Sequence, residues 1–299
     1  MSANWSVTYK RSFSRNIGIL TEQEQDRLLK STVAVAGLGG IGGATFLALV
    51  RMGVGRFHIT DIDEFGIENL NRQMGSDHSS LGRPKIEVMA EEARKINPEV
   101  EIVLWPEGVN KDNVSEFLKG VDAVADCIDY FCLTPRELLL SQAEKDQIPI
   151  CFVAPLAFSA TLLAFEKGSM SYKEYFAIDD TMDSFEKLLR ISIAIAPKGL
   201  HQKYMNFTKE QLVEMQTGPS IAASIYLGGG LLAAEILFSL TNRRKLFSAP
   251  FYSQFDLLRG RYARGKLLWG NKGPIQRIKI WKARKDYISE KEAFLSFIK

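Results

Sequence analysis

The sequence predicts an α/β fold: a doubly wound, mostly parallel sheet with a more variable C-terminal half. Three observations lead there. Short apolar runs alternate with helix-like segments from residue 32 to 153, and a cluster of glycines follows the first run. The composition, 46% hydrophobic and 24% charged over 299 residues, supplies a core for one large domain or a domain with a small lobe. Strands that alternate with helices join in parallel, because each crossover helix returns the chain to the same edge of the sheet.

The first 30 residues read as an arm followed by a polar helix, with Thr21 as its cap and Glu24 three residues on, the capping-box spacing. Thr32–Ala36 is a short β-rich run that suits a strand buried on both faces. Residues 44–52 read as a helix and Arg56–Thr60 as the second strand, which ends at Asp61. Lys85–Ile96 is a helix stopped by Asn97-Pro98. Further helices are expected at 114–119 and 135–145, with strands at 101–104, 123–127 and 149–153. After Ala154 the rhythm loosens. Residues 160–165 and 191–196 look like strands, 169–182 and 198–215 like connections with short helices, 221–240 like a second long helix, and 275–281 like an edge strand. No internal repeat or low-complexity tract interrupts the chain.

Composition excludes several classes. No segment carries eighteen or so uninterrupted apolar residues; 221–240 comes closest, but its Gly228-Gly229-Gly230 run and Glu235 suit a buried core helix better. The N-terminus lacks the apolar stretch of a signal peptide, so the expectation is a cytoplasmic protein with no membrane role. Three cysteines, Cys127, Cys132 and Cys151, form neither a disulfide framework nor a Cys-x-x-Cys zinc site. Net charge is +3, unevenly placed: from Thr241 onward there are 15 Lys and Arg against 4 Asp and Glu, leaving about −8 for the remainder. That basic portion suits nucleic acid, an acidic protein, or simply a solvated face.

Gly37-Leu38-Gly39-Gly40-Ile41-Gly42 satisfies G-x-G-x-x-G between a strand and a helix, the Rossmann-like arrangement. The first glycine permits the tight turn, the middle ones admit phosphate oxygens to the backbone, and the last allows helix-on-strand packing. Free amides and the helix dipole favour an anion there. Asp61 lies where a carboxylate accepts ribose hydroxyls. These features indicate a nucleotide without choosing among NAD, FAD, SAM and ATP.

The residues that follow choose. Asp61-Ile62-Asp63, Asn69-Leu70-Asn71-Arg72-Gln73 and Gly82-Arg83-Pro84-Lys85 add a cation pair that a dinucleotide does not require and a triphosphate does. Arg72 offers a planar fork for the β- and γ-phosphates, and Lys85 a point charge for the α-phosphate, where an attacking carboxylate meets like-charge repulsion. Asp126-Cys127-Ile128-Asp129 then closes a strand at the ligand-binding edge. A carboxylate beside phosphates is a natural magnesium ligand, and Asp129 is the better placed of the two, since Asp126 falls earlier in the strand.

In this order and spacing, the motifs resemble the adenylyltransferases of the ThiF, MoeB and HesA family, related to ubiquitin-activating enzymes. Arg11-Ser12-Phe13-Ser14-Arg15-Asn16 is similar to the family's entry arm, and Ile96-Asn97-Pro98 also matches. The matches run from Arg11 to Ala154, with a fainter one at 217–240. The resemblance implies an enzyme that uses ATP and magnesium to activate a carboxylate as an acyl-adenylate with release of pyrophosphate. Gly37, Gly39, Gly40 and Gly42 would line the nucleotide. Asp61, in the Asp-x-Asp with Asp63, would hold the ribose, with Asn69, Arg72 and Gln73 around the phosphates. Lys85 would stabilise the pentacovalent phosphorus and Asp129 would bind magnesium. Arg15 would reach the neighbouring subunit's site, which implies a homodimer. The division that follows is an arm and helix at 1–30 and one adenylation domain at 31–299, with a nucleotide half at 31–154 and a crossover, substrate-binding half at 155–299.

Three departures matter. The Cys-x-x-Cys pairs of many relatives are missing, which marks a zinc-free member, and Ser171-Tyr172-Lys173-Glu174-Tyr175 stands near where the first would fall. No cysteine follows Cys151, so the crossover segment at 158–218 carries no thiolate for a thioester or persulfide. Cys127 reads as an inert core thiol, and Cys132 and Cys151 sit at strand ends. Tyr130 stands where relatives often have asparagine; its ring suits adenine stacking or plain packing. His58 reads as a satisfied core residue, and His78 and His201 as loop residues. The activated carboxylate would be the terminus of a ubiquitin-like carrier protein, a peptide, or a group on modified tRNA. Two other readings remain: an NAD-dependent oxidoreductase, and a non-catalytic partner subunit of an activating complex.

Overall fold

All five residues of Thr32–Ala36 are buried, which requires cover on both faces of the strand they form. The computed structural model, which describes residues 5–205 and 218–296, supplies that cover. This strand, β1, pairs in parallel with β2 (Arg56–Thr60) and β4 (Ala123–Asp126). β3 (Glu101–Trp105) and β5 (Ile150–Leu156) extend the parallel set on either side. β6 (Ser159–Phe165), β7 (Phe251–Asp256) and β8 (Arg261–Lys266) then add on antiparallel, for an eight-stranded order β3-β2-β1-β4-β5-β6-β7-β8. The fold is doubly wound and mostly parallel.

Side-chain alternation along β1 sorts the helices into two layers. Val33 and Val35 face one core with Leu28 of α2 (Glu22–Lys30), Phe46 of α3 (Gly40–Arg51) and Met89 of α4 (Lys85–Ile96). Ala34 and Ala36 face the other, with α5 (Val114–Phe117), α6 (Leu133–Lys145), α7 (Tyr172–Phe176) and α8 (Ser184–Ile195). The long helix α9 (Ala222–Thr241) closes the first layer: Leu232 and Ile236 are fully buried in the core that holds Val33. It is long and apolar enough to cross a membrane, yet it is packed here as a core helix, as its glycines and Glu235 led us to expect. Glu235 is matched by a fork from Arg244, at 3.0 Å on one arm. Gly229 is what admits the close approach, since a Cβ there would meet Ala44 of α3 at 2.5 Å.

At the N-terminus, α1 (Val7–Ser12) and α2 pack on the C-terminal end of α3: the Tyr9 hydroxyl donates to the Gly53 carbonyl at 2.6 Å. The Thr21–Glu24 capping box forms with both reciprocal bonds. Thr21→Ala should therefore lower stability by about 1 kcal/mol, measured by denaturant unfolding, with no change in ligand binding.

Two expectations are overturned. Residues 191–195 belong to helix α8, with Ala196 as its C-cap, and not to a strand. The alternating isoleucines suggested period two, but Asp183 caps the segment through the Glu186 amide, and Phe185, Leu188, Leu189 and Ile195 bury one helical face. Residues 275–281 belong to helix α10 (Pro274–Tyr287), where Pro274 starts the first turn and Gln276 and Ile280 point inward. The strands β7 and β8 had no counterpart in the expected elements. The expected connection at 198–215 extends beyond the described residues.

Candidate active site

Strands β1, β2 and β4 end at one edge of the sheet, and their loops carry the expected residues. Gly37 takes φ of +93°, its amide donates to the Thr60 carbonyl at 2.8 Å, and a Cβ on it would overlap the Cys127 carbonyl. A Cβ on Gly42 would overlap the Gly37 carbonyl oxygen, so turn and helix close only over glycine. The space beside Gly40 is filled from within the chain by Ile225 of α9, 2.8 Å from where a Cβ would stand. Gly39 differs: an added Cβ would meet only the Gln73 amide, at 3.7 Å. It caps α3 with no side-chain bond, leaving the first amides of a twelve-residue helix available to an anion.

A chain of polar contacts runs from this turn to Lys85. The Leu38 amide donates to Asp61 Oδ2 at 2.6 Å, and the Asp63 amide to Asp61 Oδ1 at 2.9 Å. Asp63 Oδ2 then accepts from Lys85 Nζ at 3.0 Å, while the Lys85 amide donates to the Asp63 carbonyl at 2.9 Å. Lys85 is 5% exposed, an ammonium held inside by one exposed carboxylate. Burial pushes the Asp61 carboxyl above the usual carboxylate range, against the pull of the two amides and of Lys85.

The segment after Asp63 frames the other side. Asn69 is buried and structural at its oxygen, which accepts the Gly66 amide at 3.0 Å, while its carbonyl receives the Arg72 and Gln73 amides. Gln73 lies beside Gly39, and its buried Oε1 has no partner, an unsatisfied acceptor at the open side of the turn. Arg72 donates at 2.8 Å to both the Glu68 carbonyl and the Asn71 side chain, so its fork is held on its own turn. Asn71 also donates to the Ser220 carbonyl at 3.1 Å, tying the approach to α9 against the Arg72 turn.

Beyond β4, Asp129 is exposed, one oxygen accepting the Phe131 amide at 2.9 Å. Asp126 is enclosed and satisfied locally, as its earlier position in the strand led us to expect: it accepts from Arg136 Nε at 2.9 Å and from the Ile128 amide at 3.1 Å. Sequence reasoning missed Arg136, because nothing local marks a helix arginine as the partner of a strand end ten residues earlier. A magnesium ligand set built from protein alone is absent among the described residues. One exposed carboxylate completed by phosphate oxygens is the usual donor set for magnesium, and Asp129 fits it.

Arg15 lies elsewhere. It sits in the 3-10 turn Ser14–Asn16, and Asn16 donates to the Met52 carbonyl at 3.1 Å, just past the C-terminal end of α3. The glycine turn is at the other end of that twelve-residue helix, about 18 Å away along the axis. Tyr130 turns to packing: its hydroxyl donates to the Leu188 carbonyl of α8 at 2.9 Å. Burial pushes the Cys127 and Cys151 thiols well above their ordinary value, so neither is an activated nucleophile. Cys132 is half-buried at the start of α6. His58 bonds the Phe117 carbonyl at 2.7 Å as a core residue, while His201 is buried in the turn Leu200–Lys203 instead of lying open in a loop.

Comparison with known proteins identifies a family and a fold. The ThiF family profile matches residues 13–271. A tRNA threonylcarbamoyladenosine dehydratase of Bacillus subtilis is 35% identical over 139 residues, which are 46% of this chain and 54% of that protein. A SAMP-activating enzyme E1 of Haloferax volcanii is 35% identical over 153 residues, 50% of this chain and 56% of that one. The chain thus spans about half the length of the curated relatives it matches. The fold of E. coli MccB, crystallised with ATP, superposes with a TM-score of 0.64 at 18% identity, over 90% of this chain and 74% of MccB. Neither a dehydrogenase nor a non-catalytic subunit gains support from these matches.

Proposed function

Because this chain belongs to the ThiF family, we propose that it is an ATP-dependent adenylyltransferase that activates a carboxylate as an acyl-adenylate. The observation that carries the reading is the polar chain from the Leu38 amide through Asp61 and Asp63 to buried Lys85. It fixes an ammonium beside a turn whose amides are arranged for phosphate.

The chemistry follows from that arrangement. The nucleotide would lie with its ribose at Asp61 and its phosphates over the open face at Gly39, with Gln73 beside them. Lys85 would exchange Asp63 for an α-phosphate oxygen, lowering the repulsion met by the incoming carboxylate and holding the charge that grows at phosphorus. A carboxylate oxygen bonds to the α-phosphorus, the bond to the oxygen bridging to the β-phosphorus breaks, and pyrophosphate leaves with that electron pair. Arg72, released from its own turn, would take the departing phosphates in a bidentate grip. Asp129 would hold magnesium, which would supply charge neutralisation on the polyphosphate. The acyl-adenylate would pass to an external nucleophile, since the crossover segment carries no cysteine to receive it.

The substrate carboxylate would be borne by a ubiquitin-like carrier, a peptide or a modified tRNA, and ATP–pyrophosphate exchange against a panel of the three tests the reading. One class should support exchange. A protein that binds NADH and not magnesium–ATP in titration would overturn it.

We also propose a homodimer in which Arg15 completes the partner's site, a reading supported by its distance from the glycine turn of its own chain. Mixing Arg15→Ala protein with Lys85→Ala protein should restore about a quarter of wild-type activity after subunit exchange, because half the dimers then hold one intact site of two. Exchanged dimers with no recovered activity would rule the arrangement out.

A further inference from the structure

We propose that Arg136 is a positioning residue that sets the magnesium carboxylate Asp129 against the phosphate turn; the inference rests on the adenylyltransferase reading above. Asp129 is exposed, and the Phe131 amide that bonds it belongs to the same loop. What places it is the residue before. The Ile128 amide donates to Asp126 at 3.1 Å, and the Ile128 carbonyl accepts from Arg136 Nη2. The two side chains that hold Ile128 at both ends of its backbone hold each other, Arg136 Nε to Asp126 Oδ2 at 2.9 Å, with side chains 15% and 0% exposed.

On its other flank the loop rests on the glycine turn. Gly37 leaves no room for a Cβ because the Cys127 carbonyl stands there. Residues 127–128 are therefore wedged between the phosphate turn and a buried ion pair, and Asp129 emerges from the wedge. A buried ion pair loses solvation that its own attraction only partly returns, so stability alone is a poor reason to keep one. An apolar pair of equal volume would pack as well, but it would release the Ile128 carbonyl and amide together. Arg136 uses the guanidinium fork in two directions, carboxylate and carbonyl, which a lysine cannot reproduce.

The test is calorimetric binding of ATP with magnesium and with EDTA, for wild type, Asp129→Ala, Arg136→Met and Arg136→Lys, each with a thermal melt. Wild type should bind more tightly with magnesium, and Asp129→Ala should lose that gain. Arg136→Met should keep the affinity in EDTA and lose about tenfold or more of the magnesium-dependent affinity, as when an outer partner of a metal ligand is removed. Arg136→Lys, which retains the charge against Asp126, should fold and recover part of the gain, and it carries the test if the methionine variant fails to fold. Arg136 variants with the full magnesium gain, or with equal losses in EDTA and magnesium, overturn the inference alone. Wild-type protein that binds no magnesium–ATP overturns the adenylyltransferase reading and this inference with it.

Discussion

Lys85→Ala is expected to reduce ATP–pyrophosphate exchange by about 10²–10³-fold while the protein stays folded. The size of the effect comes from where the ammonium sits. At 5% exposure it acts outside bulk water, so its field at the α-phosphorus is little screened. Arg83, two residues earlier, is turned away to Glu91 at 2.6 Å. The fold should survive because Asp63, the carboxylate left behind, is exposed and becomes solvated when the ammonium is removed, so no buried charge is left unpaired. Exchange and thermal melting on the same preparation check both halves. A variant that keeps more than a tenth of the wild-type rate rules out the α-phosphate role.

A second large effect separates two glycines three positions apart. Gly42→Ala should destabilise the protein by about 3 kcal/mol, because the new methyl meets the Gly37 carbonyl, a backbone atom that cannot turn aside. That corresponds to a fall in Tm of roughly 5 °C for a chain of 299 residues. Gly39→Ala should melt close to wild type, since its methyl finds only the Gln73 amide at ordinary contact distance. Its ATP affinity should nevertheless fall by about tenfold, because the methyl stands where phosphate oxygens approach the amides. If the pattern reverses, with Gly39→Ala unstable and Gly42→Ala a folded non-binder, the division between packing and binding glycines is wrong.

How far the sequence disclosed this fold depended on whether the determining interactions were local. β1, β2 and α4 lie where their residues placed them, because a doubly covered parallel strand is continuously apolar and Asn97-Pro98 ends a helix by its own geometry. β7 was illegible for the opposite reason: Ser253, Gln254 and Asp256 are polar and buried under tertiary neighbours, so no alternation survives in the chain. β8 is an exposed edge strand whose Arg261, Arg264 and Lys266 leave no apolar face to read. In α8, Ile191, Ile193 and Ile195 mimic a strand until Asp183 is seen to cap them. Within the site, the glycine turn and Lys85 were readable because strand, turn and helix are contiguous. Arg136 was not, since its meaning lies in a contact across β4 and α6.

α9 carries a consequence for biosynthesis. It comes from residues 222–241, yet it lies against α3, behind the phosphate turn, with Gly228 against Ile41 and Ile225 against Gly40. A growing chain that has reached residue 154 therefore has α2, α3 and α4 on this side of its sheet but lacks the helix that covers Ile41, Ala44 and Val153. The nucleotide seat forms late, when the segment through residue 241 has left the ribosome. Until then the nascent apolar surface around Ile41, Ala44 and Val153 is a natural target for chaperones.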